Sequence, residues 1–251
     1  MDDIDFIVVT ATEQEQQEIR SHLQIEKTVE VGYKPWTYGR YRGYAILLIV
    51  SGIGTVNTAH AVTIALERHT PRCVIQVGIG GAYVSSGLKV GDIALAENEN
   101  YGDMGVQTVD GWHGMNLIGI PLIKKSHDGS CSIFNSLQLD RDFVNKVSDG
   151  LINLYIDQNQ IRVAIGPFVT VQQCSGVQVL GDEISTRFNG ICENMEGAAA
   201  AHICCLKDIA FLEIRCISNL VINRDLSKWD IPMAISRAQS AVEYVLSHFD
   251  N

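Results

Sequence analysis

Residues 73–81 read CVIQVGIGG, an apolar run that ends in a cluster of glycines. A run without polar alternation is typical of a strand that is covered on both faces, as in a parallel sheet flanked by helices. We therefore predict a buried strand at 73–79, followed by a tight glycine turn. Similar runs predict further buried strands at 5–11, 44–50, 91–98, 161–171 and 210–218.

Helical patterns separate these strands. They cover residues 12–23, 55–69 and 194–206, and a last helix is predicted from about Pro232 to His248. The alternation indicates a single α/β domain over residues 1–251, with three α/β/α layers around a mixed, largely parallel sheet. Residues 101–140 are rich in glycine and lack periodic apolar positions, so we expect a long functional loop there, of the kind that forms lids.

Composition restricts the class of protein. Hydrophobic residues make up 46% of the 251 residues and charged residues 19%, which is typical of a folded globular chain. The formal net charge of −10 and the lack of any basic run argue against nucleic-acid binding, which needs clustered Lys and Arg. No apolar run reaches the ~18 residues of a membrane span.

The seven cysteines form no C-x-x-C pair, and the seven histidines form no H-E-x-x-H pattern. We therefore expect neither a disulfide framework nor a metal site, and no cofactor is implied. The start of the chain, MDDIDFIVVT, is acidic and enters a strand without the basic segment of a signal peptide. A reduced, cytoplasmic protein is the simplest expectation.

Two glycine clusters, SGIG at 51–54 and GIGG at 78–81, follow predicted strands. Neither completes a G-x-G-x-x-G pattern or a P-loop, and a tight turn explains each one taken alone. Because we expect both at the carboxyl ends of adjacent strands, together they favour a ligand crevice at that edge of the sheet.

Two glutamates have both a structural and a functional interpretation. Thr10 with Glu13, or Thr12 with Glu15, could form a capping box at the first helix, and spacing alone favours capping. Glu196 stands before an alanine-rich helix. There it could complement the helix dipole, or it could accept two hydrogen bonds from a ribose diol.

The ordered set of ATEQE (11–15), SGIGTVN (51–57), VGIGG (77–81), NMEGAAAA (194–201) and RCISN (215–219) resembles the nucleoside phosphorylase/nucleosidase superfamily over nearly the whole chain. Within it the chain is most similar to the bacterial 5′-modified nucleosidases, and among these to the futalosine hydrolases of menaquinone biosynthesis. The stretches at 99–112 and 215–231 carry that likeness.

The resemblance implies roles for three residues around the sugar. Glu15 matches the glutamate that activates the attacking water, which overrides the capping interpretation and leaves Thr10 and Glu13 to cap. Glu196 matches the ribose-binding glutamate, and Met195 matches the methionine that packs on the sugar.

The resemblance also implies where the base lies. Gly80 and Gly81 lie where the family's backbone approaches the nucleoside, and Phe168 lies in the segment that lines the base pocket. Asn219 occupies the position of the residue that contacts the purine imidazole, and Ser218 beside it is a further candidate for substrate binding.

Asn219 bears on the identity of the base. Nucleosidases that act on methylthioadenosine and adenosylhomocysteine carry Asp there as a proton donor. An asparagine can instead donate an N–H to a 6-oxo group and accept from a protonated ring nitrogen. Asn194, where the adenine enzymes typically have Glu, is a second departure in the same direction, so we expect hypoxanthine as the leaving base.

The phosphorylases of this superfamily bind phosphate with arginines in the N-terminal loop and before the glycine turn. Here VVTATEQEQ (8–16) and CVIQVGIGG (73–81) contain none, so we expect hydrolysis. Trp112, Arg224 and Lys228 are candidates for the 5′ substituent by their place in loops, although a solvated surface position explains each one better when it is taken alone.

Two alternatives remain open. One is a methylthioadenosine, adenosylhomocysteine or aminofutalosine nucleosidase, and the other is a non-catalytic nucleoside-binding protein. The resemblance implies a homodimer with a small-molecule nucleoside substrate.

Overall fold

The computed structural model describes residues 4–125, 132–155 and 161–250. The strands are β1 Phe6–Thr10, β2 Gln24–Val31, β3 Lys34–Tyr41, β4 Tyr44–Val50, β5 Cys73–Ala82, β6 Ile93–Tyr101, β7 Gly105–Thr108, β8 Gly111–Gly114, β9 Ile123–Lys124, β10 Ser132–Ile133, β11 Ser136–Gln138, β12 Val163–Thr170, β13 Cys192–Asn194 and β14 Phe211–Leu220. The helices are α1 Gln17–His22, α2 Thr55–Arg68, α3 Arg141–Tyr155, α4 Gln178–Phe188, α5 Gly197–Lys207 and α6 Ile231–His248.

Ten strands form one central mixed sheet, in the order β11-β6-β12-β13-β5-β1-β4-β3-β2, with β14 paired to both β5 and β6. Strands β6, β12, β13, β5 and β14 therefore form a closed ring. Parallel pairings lie at the centre of the sheet and join β4 to β1, β1 to β5, β5 to β14, β13 to β12 and β12 to β6. Strands β2 and β3 add an antiparallel meander at one end.

Helices cover both faces of the sheet, which confirms the predicted three layers. On one face, Ile19 of α1, Leu151 of α3 and Val242 of α6 pack into one core cluster. On the other face, Val62 of α2 and Ala200 of α5 pack into a second. The apolar residues of each strand contribute to both clusters, because successive side chains along a strand point to opposite faces of the sheet.

The last helix also supports the first. The N–H groups of Glu18 and Ile19, in the first turn of α1, both donate to Oε1 of Gln239 in α6, at 2.7 and 3.3 Å. The first N–H groups of a helix have no partner within the helix, so they need an outside acceptor such as this one. Because the short turn that holds Glu15, Gln14–Gln16, directly precedes α1, the buried amide of Gln239 helps to fix the position of Glu15.

Three sequence expectations need correction. GIGG at 78–81 is not a turn, since β5 continues through it to Ala82 and pairs with β13 and β14. The predicted helix at 194–206 begins only at Gly197, because Cys192–Asn194 pairs as a strand. Strands β4 and β5, expected to be adjacent, are separated by β1.

The segment 101–140, expected to be an irregular loop, contains the β7–β8 hairpin and short strands; residues 126–131 lie outside the described part. Trp112 of the hairpin packs edge-on against Phe188 of α4, with ring centroids 5.6 Å apart. Sequence reasoning also missed β2, β3, α3 and α4. Among the helices that the structure describes, none is long and apolar enough to cross a membrane.

Candidate active site

A cavity of about 330 Å³ opens where β1, β5 and β14 end and α5 begins. Carboxyl ends of parallel strands are where α/β sheets bind ligands, and sites for small molecules measure roughly 300–1,000 Å³. Seven of the eight predicted site residues line it, namely Glu15, Gly80, Gly81, Met195, Glu196, Ser218 and Asn219. None of the described residues between 101 and 140 does, so the lid expected there is not part of this cavity's lining.

Glu15 lies buried in a short 3₁₀ turn, Gln14–Gln16, in the segment between β1 and α1. Its Oε2 accepts hydrogen bonds from the backbone N–H and the hydroxyl of Thr12, both at 2.9 Å, and its Oε1 accepts from Ile79 N–H at 3.2 Å. The Thr12–Glu15 contact therefore forms. The alternative box does not, because Thr10 donates instead to the Thr12 carbonyl.

Burial raises the pKa of Glu15, because the charged form loses its hydration. The Arg215 guanidinium and the hydrogen bonds from Thr12 and Ile79 lower that pKa, and the nearby Glu196 carboxylate raises it. A carboxylate with a raised pKa that also lines a cavity is suited to accept a proton from water.

Arg215 lines the cavity and was not among the residues predicted from the sequence. It is almost completely buried on β14, where its Nε donates to Glu213 at 2.9 Å and its Nη2 contacts Glu196 Oε2 at 3.4 Å. It also donates to the Ile79 carbonyl. A glutamate and an arginine two residues apart in a mainly apolar strand pattern are unusual, because buried charges need partners, and that was the available signal.

Glu196 sits at the N-cap position of α5. Its Oε1 accepts from the Gly54 N–H at 2.9 Å, which joins the SGIG turn to α5, and its Oε2 faces Arg215. The turn needs glycine because Gly52 and Gly54 have φ values of 88° and 91°. Met195, next to Glu196, contacts the sulfur of Cys174 at 3.4 Å.

The amide of Asn194 has a structural role. Its Oδ1 accepts from the N–H groups of Glu196 and Gly197, at 2.9 and 2.8 Å, and so caps α5. Its Nδ2 donates to Glu99 at 2.6 Å. Since the amide is committed to these partners, Asn194 does not support the expected preference for a 6-oxo base.

The end of β14 places Asn219 in the cavity. The register between β5 and β14 shifts by one residue, since Ile217 pairs with Gly80 and Asn219 with Gly81, so Ser218 is the extra residue of a bulge. The Ser218 hydroxyl contacts Asn219 Oδ1 at 2.8 Å and the Gly80 carbonyl at 3.3 Å. Asn219 Nδ2 donates one hydrogen to the Leu220 carbonyl, which leaves its second N–H for a ligand.

The neighbours of Gly80 and Gly81 leave no room for a side chain at either position. A Cβ on Gly81 would lie 3.2 Å from Asn219 Nδ2 and 2.9 Å from Val221. Phe168 differs from expectation, because its fully buried ring packs with Ala96, Cys192 and Ile217 and is not in the described lining of the cavity. The alternation of β12 turns it toward the core.

A family model described as the phosphorylase superfamily matches residues 5–247, a range that includes the whole cavity lining. The chain belongs to the phosphorylase superfamily. Within the described residues, no three His, Cys, Asp or Glu side chains are grouped so that they could hold a metal ion.

Two curated relatives illustrate the chain's place in the superfamily. It is 28% identical over 214 residues to the 5′-methylthioadenosine/S-adenosylhomocysteine nucleosidase of Bacillus subtilis, covering 85% of this chain and 84% of that one. It is also 28% identical over 206 residues to the futalosine hydrolase of Thermus thermophilus, covering 82% and 83%.

A solved structure shows the same fold. The Neisseria meningitidis 5′-methylthioadenosine/S-adenosylhomocysteine nucleosidase, in complex with methylthio-immucillin-A, matches with a TM-score of 0.81 at 22% identity, over 97% of this chain and 98% of that one.

This superfamily member has a cation and an aromatic ring at the cavity mouth. Arg224 and Trp229 both line the cavity, and the guanidinium lies over the indole at 5.1 Å. The other two candidates for the 5′ substituent lie elsewhere: Trp112 packs under Arg187 on α4, and Lys228 is exposed and paired with Asp225.

Proposed function

We propose that the protein hydrolyses the N-glycosidic bond of a 5′-modified purine nucleoside, with futalosine as substrate and hypoxanthine as the released base. The observation that carries this proposal is the convergence of Glu15, Glu196 and Asn219 on one cavity around Arg215. Curated relatives that share 28% identity and are named as nucleosidase and hydrolase support the reaction class.

The proposed reaction passes through an oxocarbenium-like sugar. The bond from the anomeric carbon to the ring nitrogen breaks, and its electron pair leaves with the base. The Asn219 N–H stabilises the departing base by a hydrogen bond. Water attacks the anomeric carbon and gives its proton to Glu15. The base, which leaves as an anion, takes a proton from solvent, and Glu15 returns its own proton to solvent. Each oxygen of Glu196 keeps a lone pair for a ribose hydroxyl.

The charges around Arg215 favour water over phosphate as the nucleophile. Its single positive charge interacts with three carboxylates, those of Glu213, Glu196 and Glu15. A dianionic phosphate beside Glu15 would meet an excess of negative charge, whereas a neutral water would not. Hydrolysis therefore fits this site better than phosphorolysis.

Arg224 and Trp229 support a 5′ substituent that is aromatic and anionic, as in futalosine. Arg224 is exposed and forms no ion pair among the described residues, so its charge is available to a carboxylate. Trp229 offers a ring face next to that charge. The resemblance further implies a homodimer, which stays a prediction.

A methylthioadenosine/adenosylhomocysteine nucleosidase is the second candidate, favoured by the Bacillus subtilis relative. The experiment that separates the two is chromatography of the base released from futalosine, inosine and methylthioadenosine, each with and without phosphate. We expect hypoxanthine from futalosine at a rate independent of phosphate. Adenine from methylthioadenosine, with futalosine untouched, would replace our proposal by the second candidate.

A further inference from the structure

A third buried carboxylate lines the cavity besides Glu15 and Glu196, and it has no part in the mechanism above. Glu193 lies on β13 and is only 7% exposed. Its Oε1 accepts from the Ser175 N–H at 2.9 Å, and its Oε2 accepts from the Ser175 hydroxyl at 2.5 Å and the Tyr83 hydroxyl at 3.2 Å. Three donors on two elements therefore fix its orientation.

Glu193 and Asn219 stand on either side of Gly81. Glu193 pairs with Gly81 across β13 and β5, and Asn219 pairs with Gly81 across β14 and β5. Directly paired residues point to the same face of a sheet, so both polar side chains project from the face that carries the cavity. Neighbouring strands are about 4.8 Å apart, so the two Cα atoms are separated by roughly 10 Å. Gly81 has no side chain to fill that interval.

The hydrogen bonds leave Glu193 with unused acceptor capacity. An ionised carboxylate has about four lone-pair sites and no hydrogen to donate. The described contacts use one site on Oε1 and two on Oε2. No cation pairs with Glu193 among the described residues, so the remaining site suits a neutral N–H donor.

We propose that Glu193 accepts a hydrogen bond from N1–H of the bound 6-oxopurine, so that Glu193 and Asn219 hold the base at opposite edges. This inference rests on the proposed function and adds a specificity-determining residue to it. A 6-oxopurine carries hydrogen on N1, whereas adenine presents a lone pair there, and a carboxylate accepts from the first and repels the second. A site with a buried acceptor discriminates strongly against a ligand that leaves it unpaired.

The alternative role for Glu193 is purely structural, tying β13 to the segments of Tyr83 and Ser175. That role would affect stability without affecting the choice between bases. The test must therefore include a pair of ligands that differ only at N1.

The experiment is calorimetric titration of hypoxanthine, 1-methylhypoxanthine and adenine into the wild type, Glu193→Gln and Glu193→Ala. Glu183→Gln, on the exposed side of α4, is the matched control. We expect the wild type to bind hypoxanthine about 10- to 100-fold more tightly than 1-methylhypoxanthine, the range of a hydrogen bond to a charged group. Glu193→Ala should reduce that ratio to near one, while the control keeps it.

If the Glu193 variants do not fold, Ser175→Ala gives the same information. It removes one donor that orients the carboxylate, and it should lower the ratio severalfold. A wild-type ratio that survives in all folded variants would overturn the role of Glu193 and leave the proposed function intact. Tighter wild-type binding of adenine than of hypoxanthine would overturn the proposed base preference, and the inference with it.

Discussion

Glu15 is held by donors on both of its oxygens, from Thr12 on one side and from Ile79 on the other. These bonds fix the carboxylate in the cavity while burial raises its pKa. Replacing one oxygen of this carboxylate by an NH₂ group would turn a candidate general base into an amide that cannot accept a proton.

Replacing Glu15 by Gln should retain binding of the nucleoside but lower kcat roughly 100-fold or more, because the amide cannot take a proton from water. The measurement is base release under saturating substrate, together with the substrate dissociation constant. Glu13→Gln, an exposed neighbour, is the control and should behave as the wild type. An unimpaired kcat in Glu15→Gln would remove Glu15 from the mechanism.

The acid side of the pH profile should follow Glu15. Because the base acts when ionised, kcat/KM should fall as the pH drops through its raised pKa. The Thr12 hydroxyl stabilises the ionised form and so lowers that pKa. Thr12→Val should therefore move the acid limb to higher pH, by about half to one unit, the value of one hydrogen bond. Thr12→Ser keeps the hydroxyl and should leave the acid limb of the profile in place. If neither substitution moved the acid limb, the limb would report the titration of a group other than Glu15.

Asn219→Asp should shift selectivity from 6-oxo to 6-amino nucleosides, because a protonated carboxyl can give the imidazole a proton that an amide cannot. We expect the ratio of kcat/KM values to change about 10- to 100-fold. The exposed Asn223→Asp introduces the same charge nearby and should not change the ratio. An unchanged ratio in Asn219→Asp would contradict the base assignment.

The candidate site residues could be read from the sequence only where a family pattern carried them. Glu15, Glu196 and Asn219 were found that way, whereas their spacing alone left capping and dipole roles open. Arg215 was missed although its nearest partner, Glu213, is only two residues away, because the other two carboxylates, those of Glu15 and Glu196, come from separate segments that no local pattern connects to it. Phe168 was placed in the base pocket because the pattern identifies the segment and not the face to which its side chain points.

At the level of elements, β5 combines strand pairing with a row of glycines. The sequence predicted a turn at 78–81 because glycine usually breaks a strand. Here the glycines stay within the strand and mark where other side chains lie close to the backbone of β5. Gly78 leaves room for two charged side chains to meet, since a Cβ there would lie 2.5 Å from Glu15 Oε1 and 2.9 Å from Arg215 Nη1. Whether such glycines form a turn or continue the strand depends on packing with residues distant in sequence, which local propensity does not include.

Gly78→Ala should therefore displace Glu15 and Arg215 and reduce kcat at least about tenfold, since small misplacements of catalytic groups are costly. The fold should persist with some loss of stability from overpacking. The measurement is kcat alongside the thermal midpoint. Gly176→Ala is the matched control, because a Cβ there has no atom within 4 Å. Full activity in Gly78→Ala would show that this contact is dispensable.

For the whole molecule, the buried apolar runs were sufficient to predict the layered α/β fold. They could not predict the closed ring of strands, which depends on β14 pairing with β5 and β6 at once. The ring encloses polar groups as well: Glu99 and Glu213 are both fully buried beside Gly197. Burial and the adjacent Glu213 carboxylate raise the pKa of Glu99 well above its usual value.

This arrangement makes stability depend on pH. The folded protein keeps a proton on Glu99 that the unfolded chain releases above its usual pKa of 4.5. The free energy of unfolding should therefore fall as pH rises from there to the raised folded pKa, by up to about 1.4 kcal/mol per unit for one proton. Because burial also raises the pKa values of Glu15, Glu193 and Glu213, Glu99→Gln, which cannot lose a proton, should make the slope in urea titrations shallower by the contribution of one proton, whereas the exposed Glu30→Gln should keep it. An identical slope in Glu99→Gln would mean that Glu99 is ionised in the folded state.

The contact between Gln239 and the first turn of α1 has a consequence for synthesis. The ribosome makes Glu15 before the acceptor that steadies the turn after it, because that acceptor belongs to α6, more than 200 residues later. A nascent chain that has exposed every strand of the sheet still lacks this support. The site is therefore expected to become fully ordered only after α6 has left the ribosome and packed against this turn.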